Sequence, residues 1–106
     1  QDAFVARLNQ LIEAHLDDSS FRAESLADEV AMSIRTLTRK LGMLAGVSPA
    51  RLIRTYRLRR ALDLLRAGHP VSETAYMVGF SHPTNFSTAF KEVYKRSPSE
   101  FLSYMD

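Results

Sequence analysis

At 106 residues, with 45% hydrophobic and 25% charged content, the chain can bury a core as one domain or two small lobes, yet leaves no room for an enzyme's cleft and its support. Cysteine is absent and no apolar run is long enough to span a membrane, which excludes a disulfide framework, Cys-based metal or nucleophile chemistry and a membrane-crossing helix. The net charge of +2 is unevenly spread: residues 1–34 sum to −5, residues 35–60 to +8 with no acid, and the remainder to −1, a footprint suited to a polyanion.

In chain order, Phe4, Leu8, Leu11, Ile12 and Leu16 recur at helical spacing and predict an amphipathic helix over residues 2–16, ended by Asp17-Asp18-Ser19-Ser20. Ser25, with Asp28 three residues on, predicts a capping box and a short helix to about Ala31 that buries Leu26, Ala27 and Val30. After a turn at Ala31-Met32, Ser33 is read as the cap of a helix from Ile34 to about Leu44, with Leu37, Leu41 and Leu44 inward. Gly46 stops it. Ser48 and Pro49 open a helix running without a breaker to Arg66, before Gly68 and Pro70. Its Ile53, Leu58, Ala61, Leu64 and Leu65 fall within an arc of roughly 140°, so it carries a buried stripe. Arg57 lies inside that arc and is read as structural. Residues Val71 to Val78 predict another short helix, and Gly79 a turn at positive φ whose upstream counterpart is Ala31. Ser81 is then read as the cap of a helix with Phe86, Phe90, Val93 and Tyr94 inward and Pro83 in its first turn. Ser97-Pro98-Ser99-Glu100 predicts a capping box opening a closing helix to about Tyr104.

Two stretches repeat. Ala27-Asp28-Glu29-Val30-Ala31-Met32-Ser33 matches Ala75-Tyr76-Met77-Val78-Gly79-Phe80-Ser81 at an offset of 48, and Leu37 and Leu41 match Phe86 and Phe90 at an offset of 49. Each copy reads as short helix, tight turn and second helix, the arrangement that sets a helix into the DNA major groove. The expected fold is all-α: seven helices in two helix-turn-helix lobes joined by a long connecting helix. Lobe one covers about residues 1–47, the connecting helix 48–66 and lobe two about 70–106, with the whole of 1–106 one DNA-binding domain.

On the first second-helix, Arg35, Thr36, Thr38 and Arg39 face outward, with Met43 on or beside that face. A guanidinium bonds guanine bidentately and threonine offers a hydroxyl or a methyl, so these four are candidates for base contacts. Thr84, Asn85 and Thr88 are the candidates on the other copy. Phosphate contacts are assigned to Lys40, Lys91 and Lys95 and to backbone amides at the helix starts marked by Ser33 and Ser81. The 19-residue span from Ser48 to Arg66 is about 28 Å long, against about 34 Å between successive major grooves on one face of B-DNA.

The chain resembles the DNA-binding domain of the AraC/XylS family of bacterial transcription regulators over nearly its whole length. The matching residues are Leu26-Ala27-x-x-Val30, Met32-Ser33-x-x-x-Leu37-x-Arg39-x-Leu41, Arg57-Leu58-x-x-Ala61-x-x-Leu64-Leu65, and Val78-Gly79-Phe80-Ser81 through Asn85-Phe86-Ser87 to Phe90-Lys91 and Ser97-Pro98-Ser99-Glu100-Phe101. The resemblance implies seven helices and second-motif helices that enter successive major grooves. Phe4 to Asp18, and Arg39-Lys40-Leu41 to Ser48-Pro49, are similar to the output domains that end hybrid two-component regulators. Two departures stand out: the family often has arginine after the serine at 87, where this chain has Thr88, and Pro83 replaces a commonly polar residue. The first lobe is therefore expected to carry more of the sequence specificity.

The function this reading supports is sequence-specific double-stranded DNA binding that regulates bacterial transcription, in the cytoplasm and with RNA polymerase as a further partner. The alternative is a helical protein-interaction module that binds a polymerase subunit or another regulator. An enzyme is not expected, because His15, His69 and His82 are scattered and neither a phosphate loop nor a nucleophile motif occurs. No cofactor, metal or membrane contact is expected of this segment, and any oligomerisation is expected to use a domain outside this chain.

Overall fold

The computed structural model describes residues 2–104, and the expected domain ends at Gln1, Met105 and Asp106 lie outside the described residues. Seven helices and no strand occur among them: α1 Ala3–Ala14, α2 Ala23–Glu29, α3 Ile34–Ala45, α4 Pro49–Arg66, α5 Val71–Met77, α6 Pro83–Tyr94 and α7 Pro98–Ser103. The chain forms two compact units, Gln1–Tyr56 and Arg57–Asp106, with the division inside α4.

In the first unit α1, α2 and α3 pack on one another. Val5, Leu8, Ile12, Phe21, Leu26, Ala27, Leu37, Leu41 and Ile53 form its core, with Phe4, Leu11, Val30, Met32, Val47, Leu52 and Tyr56 half-buried around them. The apolar spacing of α1 and α3 thus does the work the sequence assigns to it. Asp2 caps α1 by accepting from the Phe4 and Val5 amides. A hydrogen bond and a ring stack tie loops and helices together: the Tyr56 hydroxyl donates to Glu13 at 2.6 Å, and His15 stacks on Phe21 with ring centroids 4.5 Å apart.

In the second unit α5 packs on α6 and α6 on α7. Its buried residues include Leu58, Ala61, Leu65, Ala75, Val78, Phe86, Ala89 and Phe90. Phe90 is the hub of an aromatic cluster, with Phe86, Tyr94 and Phe101 at centroid distances of 5.7, 4.8 and 5.8 Å. Edge and tilted geometries of this kind add specific ring attraction to simple burial.

The internal repeat is carried through at the level of elements. α2 and α5 each have seven residues and lie 48 positions apart, while α3 and α6 each have twelve and lie 49 apart. The turns correspond too. Met32 donates its amide to Ala27 at 3.0 Å and Phe80 to Ala75 at 2.9 Å, with Ala31 and Gly79 both at positive φ between them. Both second helices end in a left-handed residue, Gly46 and Lys95. The repeat even reaches the next helix: Ser48 accepts from the Arg51 amide at 3.2 Å, and Ser97 from Glu100 at 3.2 Å.

The structure corrects three local expectations. Ser25 does not cap α2 from outside; the helix begins at Ala23, and the Ser25 hydroxyl reaches back to accept the Arg22 amide at 3.1 Å. Ser81 does not cap α6, whose N-cap is His82 in an extended conformation. Pro83 is the reason, because a residue before proline is driven out of the helical region and the helix can only start at the proline itself. Leu44 and Val93, read as inward, are 42% and 41% exposed. They are matched positions in the repeat.

Candidate nucleic-acid interface

Ser33 fixes the start of α3: its hydroxyl accepts the Thr36 amide at 3.1 Å and donates to the Thr36 hydroxyl at 2.9 Å. From there the helix buries Leu37 and Leu41 and leaves Arg35, Thr36, Thr38, Arg39 and Lys40 exposed. These five sequence candidates therefore share one helix and lie outside its buried stripe. On α6, Phe86, Ala89 and Phe90 are buried, while Thr84, Asn85, Thr88 and Lys91 are exposed.

Hydroxyl chemistry on these faces is narrower than composition implies. Thr38 donates to the Ile34 carbonyl at 2.7 Å, and Thr88 to the Thr84 carbonyl at 3.0 Å. With the hydroxyl hydrogen spent on the helix, each threonine offers a partner its methyl and an acceptor lone pair. Such a face suits a partner group that is apolar or that donates a hydrogen bond.

Three phosphate candidates also look different in place. The Lys40 ammonium sits 4.1 Å from the centre of the Phe4 ring, so α1 holds the side chain by cation–π attraction. Lys95, the left-handed cap of α6, donates to the Glu92 carbonyl at 3.0 Å. The cap shift described above moves the amide donors of α6 away from Ser81. Pro83 has no N–H, so the exposed donors of the first turn are the Thr84 and Asn85 amides.

The basic run on α4 is partly compensated within the chain. Arg54, Arg57, Arg59 and Arg60 each take part in an internal interaction, and Arg60 pairs with Asp63 at 3.1 Å. Arg57 is half-buried, in keeping with a structural role. The Phe4–Lys40 stack had no signal in the sequence, since it depends on how α1 crosses α3.

The sequence matches the helix-turn-helix domain family over residues 26–104. The chain belongs to that family, and within it to the AraC type. It is 39% identical over 105 residues to the transcriptional activator RhaS of Citrobacter koseri, covering 95% of this chain and 37% of RhaS. The chain thus spans little more than a third of the length of that relative. Among solved structures, the C-terminal domain of AraT, a response regulator from Geobacillus stearothermophilus, superposes with a TM-score of 0.87 at 31% identity, covering 97% of this chain and 86% of that one. The DNA-binding domain of AdpA, solved with a target DNA, gives 0.85 at 29% identity, covering 94% and 90%. No helix among the described residues is long and apolar enough to cross a membrane.

Proposed function

We propose that this chain is the DNA-binding part of a bacterial transcription regulator and that it inserts α3 and α6 into successive major grooves of one duplex. The observation that carries this reading is the pair of helix-turn-helix motifs with second helices of equal length, each leaving an exposed polar face, with Arg35 and Arg39 on the first. Arg35, Thr36, Thr38 and Arg39 contact bases in the first groove, and Thr84, Asn85 and Thr88 in the second. Lys40, Lys91 and Lys95 contact phosphates, with the amides that follow Ser33 at α3 and His82 at α6. The domain limits are about 1–47 for the first lobe and 70–106 for the second, with the connecting helix between. The regulator acts in the cytoplasm on RNA polymerase. The likeness to a response-regulator C-terminal domain supports a place as the output domain of a two-component system.

Selection of bound duplexes from a random pool tests this directly. The expected result is a two-part site with parts about one helical turn apart and affinity that falls steeply with salt. Failure to enrich any sequence overturns it.

A further inference from the structure

Two adjacent residues near the end of α3 are poorly explained by the fold around them. Gly42 lies within the helix, where glycine weakens the element relative to alanine because its backbone loses more freedom. A Cβ at that position would meet nothing within 4 Å, so no neighbour requires the glycine. Its neighbour Met43 is 82% exposed. Exposed apolar side chains scattered singly need no explanation. Position is what sets this pair apart.

At 100° per residue, Arg35, Arg39, Gly42 and Met43 fall within an arc of about 100°, and Leu37 and Leu41 occupy the opposite side. The face that presents two arginines thus continues, toward the helix C-terminus, as a gap without a side chain beside a long flexible thioether. The first half suits guanine edges and phosphates. The second half suits neither, being uncharged and apolar. In the major groove the one apolar group on a base edge is the C5-methyl of thymine.

We propose that Met43 reads a thymine methyl in the first groove and that Gly42 provides the clearance which lets α3 approach the duplex closely enough for it to do so. This rests on the DNA-binding reading above, with the arginines on the same arc supplying the charge that brings a polyanion to this face. Methionine fits the role because its unbranched, polarizable side chain adapts to an apolar contact of ill-defined shape. The missing side chain at position 42 fits a close approach of the helix backbone to a ligand, one of the uses for which glycine is kept at some cost in stability.

The test uses a duplex enriched from the random pool. Each thymine in it is replaced singly by deoxyuridine, which lacks only the methyl, and binding is measured for the unaltered chain, Met43→Ala and Gly42→Ala. The unaltered chain is expected to lose roughly three- to fivefold in affinity at one thymine of the first part of the site, the worth of about one buried methyl. Met43→Ala is expected to bind the thymine duplex that much more weakly and to be indifferent to the replacement. Gly42→Ala is expected to raise the thermal midpoint by a few degrees while weakening binding several-fold. A Met43→Ala variant that keeps the full deoxyuridine penalty at every thymine overturns the methionine's role. Undiminished affinity in Gly42→Ala overturns the glycine's. Absence of any enriched duplex is a separate result, which removes the DNA-binding reading itself.

Discussion

Ala31 occupies the turn between α2 and α3 at φ 56°, whereas its counterpart Gly79 sits at φ 90°. A Cβ in the left-handed region crowds the following carbonyl at a cost of about 1 kcal/mol, which glycine avoids. Ala31→Gly should therefore stabilise the first unit by about 1 kcal/mol, seen as a higher urea midpoint with an unchanged slope. An unchanged midpoint would mean that the turn relaxes the clash elsewhere. Thr74 offers a second comparison across the repeat, since the matching position upstream is Leu26. Both are fully buried, and the Thr74 Oγ1 has no hydrogen-bond partner among the described residues. Replacing a buried, unsatisfied hydroxyl by a methyl of similar shape removes a penalty of order 1–3 kcal/mol. Thr74→Val should accordingly raise the unfolding midpoint, and a fall would point to an ordered water bonded to that oxygen.

At the scale of elements, most helix ends were legible because they rest on local chemistry. Ser33, Ser48 and Ser97 all accept the amide three residues on, as their spacing implies. Ser81 misleads because the same signal is overridden two residues later by Pro83, and Leu44 and Val93 mislead because periodicity assigns a face of the helix and not the depth to which each residue on it is covered. The Lys40–Phe4 stack is a tertiary event with no local trace. α7 shows how a cap becomes pH-dependent. The Ser97 amide, and then its hydroxyl, bond the Glu100 carboxylate and hold its pKa below the usual value. A lowered folded pKa means that the cap's contribution is present above the unfolded value of about 4.3 and is lost as pH falls through the folded one. Glu100→Gln keeps an acceptor but not the charge, so it should be less stable than the unaltered chain at pH 7, with the gap closing below about pH 4. A gap independent of pH would exclude the charge as its source. The exposed faces of α3 and α6 invite a contrast of another kind. Arg39→Ala should weaken binding by roughly 1–3 kcal/mol and relax preference at particular base pairs, whereas Lys91→Ala should weaken it evenly and flatten the salt slope by about 1. Competition binding across single-base variants at several salt concentrations separates the two, and exchanged behaviour would reverse the assignments.

For the molecule as a whole, the proposal turns on α4. It runs for 18 residues from Pro49 with no further proline and no glycine, about 27 Å of continuous helix. The proposed grooves lie about 34 Å apart on one face of the duplex, so the proposal requires the two motifs to engage DNA at a fixed separation. The proposed fixed separation has a consequence that a flexible tether lacks. Five base pairs inserted between the two parts of an enriched site turn the second part to the opposite face, since B-DNA repeats in about 10–10.5 base pairs. Ten restore the face but move it one further turn away, beyond the proposed separation. Both insertions should therefore reduce affinity to that of a duplex carrying the first part alone. A tether would tolerate the ten-pair insertion, losing only the small entropic cost of a longer loop. Full affinity on the ten-pair duplex would show that α4 does not act as a spacer and that the two motifs engage DNA independently.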